Sequence, residues 1–403
     1  MYQKIKNNFL ILILIPLFIL GIYLCYIGGY GSDEDTLAMI NSFESVLYSG
    51  NYQSSRFTGY PVAEIIIGFL SLYFGSFYIN TVVYLSLIVS LILIFLTFED
   101  TKAIKLYNKK IILFLIFCLS NPILFFDNIE PVDYSLAFLF FSLGTFFYSK
   151  KLFQLSYIFF IIALGTRLNF AVFVIIFIYF FNFREIKVSK FEKLNSIVLI
   201  LFGGSLFYVP IWYLNNFGFD WLTSARPTDE GIVGLLGRFI YKTYQVFGVV
   251  ASFIIFFIIN KIFKSQSFKF EYKNKLLLII ILSNFLIFLY IPAEYSYIQP
   301  AVILTYLFIL KNLKNFNLIY LLIVFNFASW FINFEVIEKK YENNNFSICS
   351  TVHAIDAKIK FNIQPGYFEK YLKSRNTILC LIEHSKGSQK YNNISQGKRL
   401  LIK

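Results

Sequence analysis

Three adjacent carboxylates, Asp33-Glu34-Asp35, follow the first long apolar stretch, and a second acidic group, Asp127-Asn128-Ile129-Glu130-Pro131-Val132-Asp133, separates two later ones. Acidic side chains beside an apolar bundle are costly unless they face its interior or a water-filled cavity, so their default reading is functional. The chemistry within their reach is proton abstraction from an acceptor hydroxyl, or metal ligation. Each group also has a plain structural account. The first opens a stretch, 36–48, with apolar residues at Leu37, Ile40, Phe43, Val46 and Leu47. That is the spacing of an amphipathic helix, for which Ser32 or Asp33 is a cap and the negative charge suits the helix dipole. The two accounts are compatible, because a cap holds a carboxylate in place. In the second group Pro131 ends one helix and Asp133 caps the next, or a carboxylate there stands opposite the first set.

The candidate cations are fewer. Arg167, in Gly165-Thr166-Arg167-Leu168-Asn169, interrupts a run that is apolar on both sides. It either snorkels to an interface or holds a phosphate through its planar fork. The segment 215–243 carries Asp220, Trp221, Arg226, Asp229, Glu230, Arg238 and Lys242, and 232–247 again has amphipathic spacing. Two accounts stay open: a surface helix facing lipid headgroups, or a basic set steering an anionic lipid. Tyr60, in Gly59-Tyr60-Pro61, and Glu294 and Tyr297, in the turn 291–297, are further residues that line a cavity or simply make turns.

The elements that must position these residues are membrane helices. Hydrophobic residues make up 58% of the 403, aromatics 21% and charged residues only 15%. A soluble chain of this size could not hide so much apolar surface. The fold class expected is therefore all-α, a polytopic integral membrane protein. The apolar runs are 9–27, 77–98, 111–126, 132–148, 152–166, 168–183, 196–213, 244–260, 276–291, 298–310 and 317–334, which gives about eleven transmembrane helices at ~20 residues per span. Lys4 and Lys6 precede the first run with no small-residue cleavage site after it, the pattern of an uncleaved signal anchor. No internal repeat is evident.

The segment 61–75 decides the topology. If it spans, Lys109-Lys110, Lys150-Lys151, the group Arg184 to Lys193, the group Lys261 to Lys275, and Lys311 with Lys314 all fall on the outer side. If it lies in the interface, they all join Lys4 and Lys6 on the cytoplasmic side, as the positive-inside rule prefers. The expected protein is thus a cytoplasmic-membrane protein with its N-terminus in the cytoplasm. Its first external loop, 28–76, contains two amphipathic juxtamembrane helices, and both acidic groups lie on the outer face. Residues 1–334 form the membrane domain and 335–403 a small external tail or cap. The net charge of +13 is orientation chemistry in short loops rather than a nucleic-acid stripe. Cys25 and Cys118 fall in apolar segments and read as core residues. Cys349 and Cys380 share the tail with His353 and His384, where a disulfide is open and no zinc-ligand spacing exists.

The order of these features resembles the GT-C superfamily of integral-membrane glycosyltransferases, most of all the branch of protein mannosyltransferases and aminoarabinose transferases. The resemblance rests on Asp33-Glu34 opening the first loop, an amphipathic helix, Gly59-Tyr60-Pro61 starting a juxtamembrane helix, Phe77-Tyr78 entering the next span, Ser120-Asn121-Pro122, the acidic Pro-containing turn, and Gly165-x-Arg167. It covers about residues 9–185. It implies a polyprenyl-phosphate sugar donor and a glycan, lipid or protein acceptor at the outer face. By position, Asp33 or Asp35 matches the family's first-loop catalytic acid, with Glu34 between them, and Asp127, Glu130 or Asp133 matches the second acidic motif. Arg167 matches the basic residue near the lipid phosphate, helped by Arg238 or Lys242. The implied reaction is displacement with inversion at the anomeric carbon. No cofactor is certain, and a divalent cation, Mg2+ or Mn2+, is left open. The chain departs from the family at the later outer turn, where Glu294 and Ser296 flank Tyr295 in place of Arg or His with Tyr. An O-antigen or capsule polymerase is the second reading, although only Arg56, Arg226 and Arg238 lie in the long outer loops. A lipid or polysaccharide transporter is the third, for which inverted repeats or broken helices would be the signature.

Overall fold

In the computed structural model the described residues are 2–30, 34–56, 58–99, 109–182, 188–219, 232–265, 271–291, 295–313, 316–341, 354–369 and 371–372. Sixteen helices follow in chain order: α1 (Tyr2–Ile27), α2 (Glu34–Ser49), α3 (Pro61–Phe74), α4 (Ser76–Phe98), α5 (Lys109–Ser120), α6 (Pro122–Phe126), α7 (Asp133–Ser149), α8 (Phe153–Thr166), α9 (Phe170–Phe180), α10 (Lys190–Leu206), α11 (Val209–Leu214), α12 (Ile232–Phe247), α13 (Val249–Lys264), α14 (Tyr272–Tyr290), α15 (Gln299–Asn312) and α16 (Asn317–Phe331). Two strands follow, β1 (Ile332–Tyr341) and β2 (Ala354–Pro365).

The centre of the bundle is α5 and α15. Every residue of Ile111–Ser120 and of Gln299–Leu310 is buried, as befits helices apolar on all sides. Phe117 and Tyr306 stack between them at 3.8 Å. The outer helices carry the opposite signature: Phe253, Phe256 and Phe257 on α13 and Phe202 and Leu206 on α10 are exposed. Exposed apolar side chains in that number mark a surface that lipid or a partner covers.

Three helices among the described residues are long and apolar enough to cross a membrane: α1 over Leu10–Ile27, α4 and α14. The number rises to five if each of two bent pairs is one span, α5 with α6 and the following turn, bent by 87°, and α12 with α13, bent by 90°. The expectation of about eleven spans is therefore corrected. The apolar runs do become helices, but most are single short helices, and breaks divide the runs 111–126, 196–213 and 244–260 further. At 1.5 Å per residue, the 14 residues of α8 reach only ~21 Å, against a hydrocarbon thickness of ~30 Å. α3 is also 14 residues long and falls short in the same way.

The break between α5 and α6 is written in the sequence Ser120-Asn121-Pro122. Pro122 takes the first position of α6, and the Asn121 side chain caps that helix by accepting from Leu124 N at 3.0 Å, where proline's missing N–H does no harm. The carbonyl freed at the end of α5 is also satisfied, since Trp330 Nε1 donates to Ser120 O at 2.7 Å. Asn121 Nδ2 donates to Tyr306 Oη at 3.0 Å and to Val246 O at 2.9 Å. Broken helices persist at membrane depth only with such partners. At the second break Gly248 adopts φ +78°, a conformation open to glycine.

The helical class holds with one addition. β1 leaves α16 directly and pairs antiparallel with β2, from Ile332 opposite Pro365 to Tyr341 opposite Ala354. The expected boundary at 334/335 falls inside β1. After β2 the chain returns to the bundle: a Cβ on Gly366 would lie 2.2 Å from Trp330 O, so only glycine fits there. Tyr371 Oη then donates to Leu24 O at the end of α1, 3.2 Å away. Cys25 and Cys118 are buried and unpaired, in keeping with the core reading. Cys349, Cys380, His353 and His384 lie outside the described residues.

Candidate functional site

Helix α2 forms where helical spacing predicts it. Leu37 and Ile40 are buried, Phe43 is half-buried, and Val46 and Leu47 are exposed, so the inward face ends a turn earlier than expected. Thr36 Oγ1 on this helix donates to Pro131 O at 3.0 Å. That bond carries the head of the first loop onto the second acidic group, 95 residues later in the chain.

At the start of α7, Asp133 sits in the first turn, where negative charge suits the helix dipole. It is not the cap: Val132 holds that position, without a side-chain cap bond. The Asp133 carboxylate instead meets Arg167, which follows α8. Arg167 Nε donates to Oδ2 at 2.5 Å and Nη2 donates to Oδ1 at 3.0 Å. This is a bidentate fork, with side-chain exposures of 2% for Arg167 and 3% for Asp133. The snorkelling account of Arg167 is thereby corrected: the side chain is buried and its fork is turned to Asp133. The reason is electrostatic: a guanidinium removed from water needs a carboxylate with matching geometry. Three tyrosines close round it. Arg167 Cζ lies 3.2 Å from the ring centroid of Tyr134, 4.6 Å from that of Tyr60 and 5.0 Å from that of Tyr297, within cation–π range.

Other candidates gather at the same end of the bundle. Asp35 is ion-paired with Arg56, and Arg56 also lies 5.4 Å from the Tyr60 ring centroid. Asp127 accepts from Gln299 Nε2 at 3.3 Å, and the neighbouring Asn128 donates to Gln299 Oε1 at 3.3 Å. Glu130 is buried beside them. Lys242 Nζ lies 5.2 Å from the ring centroid of Tyr295, two residues before Tyr297, while Arg238 is exposed on α12. Asp33 and Glu294 lie outside the described residues, as do Asp220, Trp221, Arg226, Asp229 and Glu230. Of Glu34 only its place at the head of α2 is described. Among the described residues no three His, Cys, Asp or Glu side chains come together as a metal-binding group. The acids there are spread over arginine and amide partners.

Several members were not singled out from sequence. Glu64 in α3 is 1% exposed. It accepts from Ser55 N at 2.9 Å, Ser55 Oγ at 2.5 Å, Tyr60 N at 3.2 Å, Tyr52 Oη at 2.5 Å and Ser42 Oγ at 3.2 Å. Burial, reinforced by Glu64, pushes the Tyr52 phenol far above its ordinary range, so it serves as a donor. The available signal was a lone carboxylate in an apolar helix. Tyr134, Asn128 and Gln299 gave no such signal, because only the fold places them together. Tyr208 is the last. Its Oη donates to Leu164 O at 2.8 Å, and Tyr52 and Phe207 pack against the cluster it forms with Ile211. Tyr208 also lines an apolar groove of about 410 Å³ with Leu168, Phe202, Leu206, Val209 and Trp212.

No family model, no curated protein and no solved structure matches this chain. The likeness to GT-C enzymes therefore rests on the order of its motifs alone.

Proposed function

We propose that the protein is an inverting glycosyltransferase that moves a sugar from a polyprenyl-phosphate donor to an acceptor at the extracytoplasmic membrane face. One observation carries this reading: the apolar groove is lined by Leu168, the residue after Arg167, and by Tyr208, against whose cluster packs Tyr52, a hydrogen-bond donor to Glu64. A lipid-linked sugar has the same two-part character, an apolar chain joined to a polar, charged head. The prenyl chain lies in the groove and the sugar beside the outer edge of Tyr60 and Tyr297, the residues expected to line the cavity.

A first-loop aspartate, Asp33 or Asp35, takes the acceptor's proton as the hydroxyl attacks the anomeric carbon. The bond to the phosphate oxygen breaks and polyprenyl phosphate departs. Arg238 and Lys242 stabilise its charge, since the fork of Arg167 is committed to Asp133. Much of the rate comes from holding a lipid-soluble donor and an acceptor in line. The test is release of polyprenyl phosphate from a panel of polyprenyl-phosphate sugars by purified protein, with and without a chelator. Release is expected from the wild type and is abolished in the doubly substituted Asp33→Asn, Asp35→Asn protein. A double variant that keeps its activity removes the proposed base.

The bends of 87° and 90° favour a second reading, because broken helices are a mark of carriers. That reading predicts donor movement across proteoliposome membranes with no polyprenyl phosphate released. The glycosyltransferase reading predicts the reverse.

A further inference from the structure

We propose that Glu64 is the positioning residue of this site, a buried anchor that ties loop 50–60 to the bundle and so sets the places of Asp35 and Tyr60. The proposal rests on the glycosyltransferase reading for its kinetic part and stands on geometry for the rest.

Among its described residues the loop 50–60 has no helix or strand of its own. Four of the five hydrogen bonds to Glu64 come from it: two from Ser55, one from Tyr52 Oη and one from Tyr60 N. The fifth, from Ser42 Oγ, ties in α2. All five run from a donor to a carboxylate oxygen, three to Oε1 and two to Oε2, so they more than fill the roughly four lone-pair sites of a carboxylate. Burying a carboxylate is costly without such partners. A role in capping α3 would need only the Tyr60 N–H, so four of the bonds lie beyond it. Gly59, at φ +58°, turns the chain so that Tyr60 follows directly.

The anchored loop delivers two groups. Arg56, next to Ser55, pairs with Asp35. Tyr60, next to Gly59, presents its ring to Arg56 on one hand and Arg167 on the other. Glu64 touches neither of the two ion pairs, yet it fixes the residues that join them. It acts through Ser55 and Tyr60 and is a positioning residue, not a catalytic one.

Glu64→Gln keeps the shape but turns one acceptor into an NH2 donor that faces other donors. Hydrogen exchange of the full-length protein in detergent should then rise about tenfold or more in residues 50–60, the loss expected for hydrogen bonds to a charged group. Residues 109–129 should keep the wild-type rate. Turnover should fall about tenfold in kcat with donor KM within about threefold, because the groove is untouched. Ser55→Ala removes one side-chain donor, should shift both readouts the same way by less, and serves if Glu64→Gln fails to fold. Unchanged exchange in 50–60 overturns the anchor. Faster exchange with unchanged kcat overturns the positioning role. If the wild type releases no polyprenyl phosphate from any donor, the kinetic part falls with the glycosyltransferase reading, and exchange alone decides the anchor.

Discussion

Replacing Asp133 by asparagine leaves Arg167 buried with a weakened partner, and the size of the effect can be worked from the contacts. The two side chains are 3% and 2% exposed, and the guanidinium gives Asp133 two hydrogen bonds. Removing one partner of such a pair costs about 3–5 kcal/mol, mostly the penalty of the stranded charge. Asparagine keeps one acceptor oxygen, and the faces of Tyr60, Tyr134 and Tyr297 retain about 0.5–2 kcal/mol of attraction for the cation. The loss should therefore sit near the lower end, about 3 kcal/mol, or roughly a hundredfold in the folding equilibrium. Equilibrium unfolding in mixed micelles of rising SDS content measures it. Arg167→Met strands Asp133 in turn and should cost at least as much. The double variant Asp133→Leu, Arg167→Met removes both charges and should recover most of the loss, because an apolar pair of similar volume often matches a buried ion pair. Single losses below about 1 kcal/mol that simply add in the double variant would refute this reasoning, since that is how exposed pairs behave. Such a result would return Arg167 to the role of an open phosphate holder, in which Asp133→Asn changes donor binding and leaves stability alone.

Three further outcomes follow from single sites. Asn121→Ala removes the cap of α6 and the bonds to Val246 O and Tyr306 Oη. It should cost about 2–4 kcal/mol in the same unfolding assay, and a loss under about 0.5 kcal/mol would mean that the helix break holds without Asn121. Ser205→Phe puts a ring into the groove that Ser205 lines. It should raise KM for long-chain polyprenyl donors and spare donors with one or two prenyl units, and an equal effect on both lengths would place the lipid elsewhere. Burial, with the Glu44 charge adding to it, pushes the Tyr30 phenol up to about 12 from 10.0. The fold favours the neutral phenol, whose hydroxyl donates to Ser71 O at 3.2 Å. Its stabilisation is thus full below pH 10.0 and lost as pH climbs towards 12, following the proton linkage of a raised pKa. Tyr30→Phe should flatten stability against pH in that window, and parallel curves for the two proteins would exclude the effect.

The same division of information runs through the site. Helix α2 was readable because period 3.6 is a local property of Leu37, Ile40 and Phe43. The break at Ser120-Asn121-Pro122 divides a run, 111–126, that hydropathy presents as one span, although the cap and proline chemistry that makes it is local. The partner of Arg167 was not readable. Guanidinium geometry says that Arg167 needs an anion, but the choice among Asp133, a phosphate and the interface depends on which helix end lies across from it. Glu64 was visible as a charge in an apolar helix, yet its donors at Ser42, Tyr52 and Ser55 appear only when the loop folds back.

Composition and hydropathy alone establish a helical chain with segments apolar enough for a membrane, because 58% hydrophobic residues leave no other solvent that could hold them. They also mark the acidic groups and Arg167 as the residues that must find partners. The tertiary structure decides everything that depends on where an apolar run bends. Among the described residues it makes three to five long spans where run lengths suggest about eleven, and it joins Asp133 to Arg167 and Glu64 to the first loop. Hydropathy is a sum over neighbours in the chain, whereas pairing a buried charge is settled by neighbours in space.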